Sequence, residues 1–139
     1  MALVLDTGPL FASLDRRDRD HASCLRLIEA SREVRIIPSP VLVELEYLLR
    51  VHAHAGIFTM FLDNIISGAF RVEDLLSSDY VRIRDLCDRY ADSNIGFVDA
   101  AVMAIVERLN EPKLATLDHR HFGMMRPRHV DSLQLLPQL

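Results

Sequence analysis

The sequence predicts an α/β domain with a doubly wound, mainly parallel sheet of about five strands and helices on both faces. The first observation is an unbroken apolar run of strand length, Ala2–Leu5, at the start of the chain. A short strand that is apolar on both faces is typical of a covered parallel sheet and not of a sheet edge. The second is that further short apolar runs alternate with longer segments of helical periodicity, which favours a parallel sheet covered by helices.

Length and composition indicate one domain, residues 1–139, of ordinary globular character. The chain has 139 residues, of which 50% are hydrophobic and 26% charged. No apolar run approaches the ~20 residues of a membrane span, and Asp6 interrupts the first run before it could serve as a signal peptide. We therefore expect a cytoplasmic protein without a membrane anchor. The formal net charge of −4 argues against broad, sequence-independent coating of nucleic acid.

The element pattern can be followed from end to end without a linker or an internal repeat. Ser39 and Pro40 resemble an N-cap followed by proline at the first helical position. Both cysteines, Cys24 and Cys87, fall in helical patterns and are expected to be buried thiols. Strands are predicted at Ala2–Leu5, Val34–Ile37, Ala69–Val72, Leu114–Leu117 and Ser132–Leu136, and helices at Leu10–Leu14, His21–Ser31, Val41–Val51, Ile57–Ile66, Asp74–Tyr90 and Val98–Leu109.

Two aspartates directly follow predicted strands. Asp6 ends the first apolar run and Asp118 ends the fourth. In open α/β sheets, ligands bind beyond the carboxyl ends of the strands, so both side chains are expected at the ligand edge. Either aspartate could instead simply initiate a turn, which is a common role for Asp after a strand.

Two further acids stand where hydrophobic or neutral residues would be expected. Glu44 shares a helical face with Val41 and Leu45, and it is expected to point inward. Asp99 lies in the first turn of an apolar helix, where the helix dipole favours an anion. Glu44 could instead reach solvent, and Asp99 could serve only its own helix. Together with Asp6 and Asp118, these acids are predicted to converge at one edge of the sheet.

Convergence of four carboxylates predicts a cation. Two carboxylates ~5 Å apart repel by roughly 3 kcal/mol at an effective dielectric constant near 20. An all-oxygen ligand set selects Mg²⁺ or Mn²⁺, either of which can hold a phosphate oxygen and activate water. Histidines are a rival ligand set, but His119 and His121 are expected to lie in a polar loop, where they could alternatively contact a phosphate. Metal-dependent hydrolysis of phosphodiester bonds is the chemistry that follows.

Four segments, in their order along the chain, carry a resemblance to a known family. They are Leu5-Asp6-Thr7-Gly8, Val43-Glu44, Gly96-Phe97-Val98-Asp99-Ala100-Ala101 and Thr116-Leu117-Asp118-His119-Arg120-His121-Phe122. The set resembles the PIN-domain nucleases, and among them the VapC-type ribonuclease toxins of type II toxin–antitoxin systems. The Asp-Thr-Gly motif alone is common, whereas the ordered set is specific and spans nearly the whole chain.

The resemblance implies a single PIN-like domain, residues 1–139, that acts as a Mg²⁺- or Mn²⁺-dependent endoribonuclease on RNA. It matches Asp6, Glu44, Asp99 and Asp118 to the catalytic acids of the family, with Asp6 and Asp99 as metal ligands. It also implies that the Thr7 hydroxyl supports Asp6, that the chain forms a homodimer, and that a small antitoxin protein covers the acidic site.

Three other functions share parts of this sequence pattern. A phosphatase of the haloacid dehalogenase type also begins with an aspartate after an apolar strand, but it requires a second aspartate where this chain has Gly8. A phosphate-accepting receiver domain would need an acidic pair after the first strand. A non-catalytic PIN-like scaffold that only binds RNA or protein is the alternative from a different class, and four retained acids argue against it.

Overall fold

The computed structural model describes residues 1–138 and contains a parallel sheet in two parts. The strands are β1 (Ala2–Val4), β2 (Val34–Pro38), β3 (Arg71–Glu73), β4 (Lys113–Ala115) and β5 (Gln134–Leu136). β2 pairs in parallel with β1 on one side and β3 on the other, and β4 pairs in parallel with β5. The predicted α/β class and the five parallel strands are confirmed.

β1 and β4 join the two parts of the sheet. Leu5 forms a parallel bridge with Ala115, and the amide of Asp6 donates a 2.9 Å hydrogen bond to the carbonyl of Ala115. The strand order is therefore β3-β2-β1-β4-β5, and the chain winds outward in opposite directions from the β1/β4 boundary. Such a boundary is a topological switch point, where open α/β sheets bind ligands beyond the carboxyl ends of their strands.

Seven helices surround the sheet within residues 1–138. They are α1 (Thr7–Leu14), α2 (His21–Ala30), α3 (Ser39–His52), α4 (Ala55–Ile66), α5 (Ser77–Arg89), α6 (Phe97–Arg108) and α7 (His119–Met124). α6 is the most deeply buried, because all seven side chains from Ala100 to Val106 are inside. A helix that is apolar on every side belongs in a core. Asp99 is the only ionisable side chain of α6 before Glu107.

Several predicted boundaries are wrong by a few residues. α1 begins at Thr7 and not at Leu10. Pro9 is tolerated in the first turn because the N–H that proline lacks would have no helical partner there. α3 begins at Ser39 itself, so the expected N-cap role falls on Pro38 and no side chain caps the helix. β3 lies two residues later than expected, and α5 starts at Ser77.

Ion pairs hold α6 against α5 and β3. Arg82, only 8% exposed, donates bidentate hydrogen bonds of 2.8 and 2.9 Å to Glu107. Arg108 bonds Asp79 on α5 at 3.1 Å and Glu73 on β3 at 3.0 Å. These contacts anchor the carboxyl-terminal end of α6, and Asp99 lies at the other end of the same helix.

Two smaller expectations can also be compared with the structure. Cys24 is buried as predicted, whereas Cys87 is only partly buried. Among residues 1–138, none of the helices combines the length and apolar character needed to cross a membrane.

Candidate active site

An acidic cleft of about 550 Å³ opens at the switch point between β1 and β4. All four acids predicted from the sequence line it, so the expected convergence is observed. The lining residues are Asp6, Thr7, Gly8, Glu44, Leu48, Asp99, Leu117, Asp118 and His121.

Asp6 is the buried acid of the cleft, with 6% of its surface exposed. It occupies the N-cap position of α1, yet its side chain makes no capping hydrogen bond. Instead its Oδ2 accepts a 2.8 Å hydrogen bond from the hydroxyl of Thr116, which itself is fully buried. The same Thr116 oxygen accepts a 3.0 Å hydrogen bond from the amide of Asp118. Thr116 therefore links the loop after β1 to the loop after β4.

A close backbone approach brings the same two loops together. A Cβ placed on Gly8 would lie 3.1 Å from the Cβ of Leu117, closer than side chains normally pack. Glycine at this position lets the start of α1 lie directly against the segment that leads to Asp118. The Asp-Thr-Gly sequence thus supplies both a carboxylate and the space beside it.

Asp99 and Asp118 enter the cleft from helix starts. Asp99 is in the first turn of α6, as predicted, with 22% of its side chain exposed. Asp118 is the N-cap of α7, where its Oδ1 accepts a 3.0 Å hydrogen bond from the amide of His121. The imidazole Nδ1 of His121 lies 2.8 Å from Oδ2 of Asp118 and 3.6 Å from Oδ2 of Asp99. The three side chains offer ligand atoms that all lie within 4.8 Å of one another.

Glu44 is placed differently from the expectation. Val41 and Leu45 are buried as predicted, but Glu44 is exposed. The buried stripe of α3 runs through Val41, Leu45 and Leu49, and Glu44 sits at the edge of that stripe. It nevertheless lines the cleft, so it reaches the other acids from the solvent side.

The electrostatics of the cleft are unfavourable to its carboxylates in the absence of a cation. Burial raises the pKa of Asp6 to about 7; the Thr116 hydroxyl and the Thr7 amide oppose this, and Asp99 and Glu44 add to it. Burial also raises the pKa of Asp99 to about 6, with Asp118 raising it further and His121 opposing the rise. In residues 1–138 no arginine or lysine forms an ion pair with any of the four acids.

Two residues in contact with the acids were missed by sequence reasoning. Thr116, and not Thr7, supports Asp6; the Thr7 hydroxyl is buried and has no hydrogen-bond partner among the described residues. His121 was assigned to a polar loop, but it lies in the six-residue helix α7 and lines the cleft. The spacing of Asp118 and His121 was the available signal, since an acid at an N-cap and a residue three positions later meet on one side.

The donor set fits a divalent cation. Asp99 and Asp118 supply carboxylate oxygens that lie within 4.8 Å of each other. Asp6 adds a buried carboxylate with a strongly raised pKa in the same cleft. The unpartnered Thr7 hydroxyl in the cleft wall is a buried polar group that a bound ion or its water would satisfy. No zinc-type cysteine ligand lines this cleft within the part of the chain that the structure describes.

The sequence matches the PIN domain family over residues 3–124, and this chain belongs to that family. The match covers most of the chain, from within β1 to the end of α7. A similar curated protein is Ribonuclease VapC26 of Mycobacterium tuberculosis, which is 27% identical over 125 residues, covering 90% of this chain and 93% of the relative.

Two solved structures share the fold. One is the crystal structure of VapC20 from Mycobacterium tuberculosis, described as a Sarcin-Ricin loop cleaving toxin, with a TM-score of 0.78 and 19% identity over 85% of this chain and 91% of that one. The other is VapBC2 from Rickettsia felis bound to a DNA fragment from the promoter, with a TM-score of 0.70 and 19% identity over 97% of both chains. At this level of identity the likeness demonstrates the fold.

Proposed function

We propose that this chain is a divalent-metal-dependent endoribonuclease and the toxin of a toxin–antitoxin pair. The observation that carries the proposal is the meeting of Asp6, Glu44, Asp99 and Asp118 in one cleft with no arginine or lysine paired to them in residues 1–138. Membership of the PIN domain family supports it, as does the similarity to a curated ribonuclease.

Asp6, Asp99 and Asp118 would hold the cation, which is Mg²⁺ or Mn²⁺ in this proposal. When bound, such an ion neutralises the acids, polarises a phosphate oxygen and lowers the pKa of a water molecule. The chain then has to orient its own groups. Thr116 fixes the rotamer of Asp6 through its 2.8 Å hydrogen bond, and the N-cap contact fixes Asp118.

Glu44 has a different role because it is exposed on the edge of α3. Its carboxylate is open to solvent, so it can accept a proton from water that attacks the phosphorus atom. Hydrolysis adds that water to the phosphodiester, and the bond to the leaving ribose oxygen breaks as that oxygen takes up a proton. Arg120 is exposed beside His121 and forms no ion pair within residues 1–138, which suits a contact to a flanking phosphate.

The partners in this proposal are an RNA substrate, a cognate antitoxin and a second copy of the chain, all in the cytoplasm. The Rickettsia felis structure is a VapBC complex, which supports an antitoxin partner. Exposed apolar side chains beside the cleft support a homodimer: Val43 and Tyr47 on α3 are 76% and 53% exposed, and Tyr80 on α5 is 53% exposed. Sedimentation of the purified chain and of a Val43→Asp variant tests that assembly.

The deciding experiment is purification without any antitoxin, followed by mapping of cleavage sites on total RNA with and without Mn²⁺. Specific cuts that require the ion support the proposal. The alternative is a non-catalytic scaffold, and inertness toward many sequences and folded RNAs with both Mg²⁺ and Mn²⁺ would favour it. An aspartate-dependent phosphatase would instead turn over small phosphomonoesters and form a phospho-aspartate.

A further inference from the structure

His121 is the single basic side chain that contacts the acids of the cleft in residues 1–138. Its imidazole is 26% exposed, and Nδ1 faces the carboxylates of both Asp99 and Asp118. Closing the first turn of α7 does not require this imidazole, because the His121 amide already bonds Oδ1 of Asp118. The contact of the ring with Oδ2 of Asp118 is therefore additional to the helix cap.

We propose that His121 supplies a nitrogen ligand to the bound cation, so that the site is a mixed oxygen–nitrogen site that favours Mn²⁺ over Mg²⁺. This rests on the proposed function, and it replaces the all-oxygen ligand set expected from the sequence. His121 Nδ1 would join Asp118 Oδ2 and Asp99 Oδ2 in the ligand set, in addition to the carboxylate of Asp6 in the same cleft.

The spacing of these atoms fits neighbouring positions around one ion. Ligands at the ~2.0–2.1 Å typical of a small octahedral cation lie about 3 Å apart when adjacent and about 4 Å apart when opposite. Nδ1 of His121 is 2.8 Å from Oδ2 of Asp118 and 3.6 Å from Oδ2 of Asp99. Both distances are compatible with Nδ1 sharing one ion with each carboxylate, and one ligand atom from each of the three side chains lies within 4.8 Å of the others.

A purely structural role for the ring is the competing explanation. In that case Nδ1–H donates to Oδ2 of Asp118, orients the carboxylate and never touches the ion. The two explanations differ in one respect that can be measured directly: only a ligand places a nitrogen nucleus in the coordination sphere of the metal.

The consequence for metal preference follows from ligand chemistry. Mg²⁺ prefers oxygen ligands and dehydrates reluctantly, whereas first-row transition-metal ions accept a nitrogen ligand more readily; Mn²⁺ is the weakest-binding of those ions. A nitrogen donor at this position adds more to the affinity for Mn²⁺ than to the affinity for Mg²⁺. The ratio of the two affinities is therefore a second, independent measure of the role of His121.

The experiment uses the purified full chain loaded with Mn²⁺ and examined by electron spin echo envelope modulation. Wild type should show ¹⁴N coupling from a bound imidazole, and His121→Asn should lose it. His119→Asn is the matched control, since His119 lies in the same helix, does not line the cleft and bonds the carbonyl of Thr116 at 3.0 Å. This control should keep the coupling. Circular dichroism and thermal unfolding without metal establish that each variant is folded.

Affinities measured by titration complete the test. Loss of a partner outside the coordination sphere already costs about 10–100-fold in metal affinity, so His121→Asn should weaken Mn²⁺ binding at least about tenfold. Mg²⁺ binding should fall less. His121→Asp, which restores an oxygen donor, should bind Mn²⁺ without nitrogen coupling and should show a lower ratio of Mn²⁺ to Mg²⁺ affinity than wild type.

The outcomes separate this inference from the function on which it rests. Wild type that binds Mn²⁺ without nitrogen coupling, or coupling that survives in His121→Asn, overturns the assignment of His121 and leaves the nuclease proposal standing. A folded wild type that binds neither Mn²⁺ nor Mg²⁺ contradicts the proposed function itself.

Discussion

Thr116 donates a 2.8 Å hydrogen bond to the carboxylate of Asp6 across a sequence separation of 110 residues. Both groups are buried, and the bond crosses the boundary between β1 and β4. It stabilises the ionised form of an aspartate that burial otherwise drives toward protonation.

Thr116→Val should therefore raise the pKa of Asp6 further above its present value of about 7. The pH at which metal binding reaches half of its maximum should move upward, because the ligand form of Asp6 is the carboxylate. Mn²⁺ titrations between pH 5.5 and 8.5 measure this shift. Thr116→Ser is the matched control, since it keeps the hydroxyl that donates to Asp6; an equal shift in both variants would contradict the role of that hydroxyl.

Asp6 and Asp99 should make the metal-free protein less stable as the pH rises. Their folded-state pKa values of about 7 and about 6 lie above the ordinary 3.8, so folding favours the protonated forms. Their contribution to stability is full below about pH 4 and is lost as the pH rises through 6 and 7. For Asp6 the loss amounts to roughly 4 kcal/mol at most.

Chemical denaturation of wild type and Asp6→Asn at pH 4.5 and pH 8, both with EDTA, tests this sign. Asp6→Asn should be close to wild type at the lower pH and more stable than wild type at the higher pH. A variant that is less stable than wild type at pH 8 would show that the ionised carboxylate of Asp6 does not destabilise the folded protein.

The acids of the cleft should be required for RNA cleavage if the proposed function is correct. Asp99→Asn keeps the shape of the side chain and removes one charge from the cluster with Asp118 and His121. We expect cleavage to fall by at least about 100-fold, the usual scale for losing one preorganised charge-stabilising group. Asp92→Asn on the exposed turn before α6 is the control and should cleave as wild type does.

Arg82 should matter for stability and not for chemistry. Arg82→Ala leaves Glu107, whose side chain is only 9% exposed, without its bidentate partner, and removing one member of a buried pair costs about 3–5 kcal/mol. The double variant Arg82→Met with Glu107→Leu replaces both charges and should recover most of that loss. Urea unfolding of the three proteins measures the difference; equal stabilities for the single and double variants would contradict the burial argument.

The sequence was sufficient for the parts of the site that follow from strand ends. Asp6 and Asp118 each follow a short apolar run, and parallel pairing places such ends at one edge. The sequence also predicts Asp99, because a single acid in the first turn of an otherwise apolar helix indicates a role other than packing. The order β3-β2-β1-β4-β5 then brings these positions to the switch point.

The parts that could not be predicted depend on contacts distant in sequence or on very short elements. Nothing local to Thr116 indicates that its hydroxyl faces a residue 110 positions away. Helix α7 has six residues, too few for a periodic pattern, and so His121 was placed in a loop. The prediction that Glu44 points inward is wrong. Helical periodicity locates the buried face of a helix only to within about one residue, and Glu44 lies at the edge of that face.

The central claim is that acids distant in sequence hold one divalent ion in the cleft. A crystal soaked in manganese, with anomalous scattering recorded at the manganese edge, tests it most directly. We expect a peak in contact with carboxylate oxygens of Asp99 and Asp118 within the cleft that Asp6 lines. A fully soaked crystal with no peak in that cleft, or with its only peak at a surface site away from these acids, would contradict it.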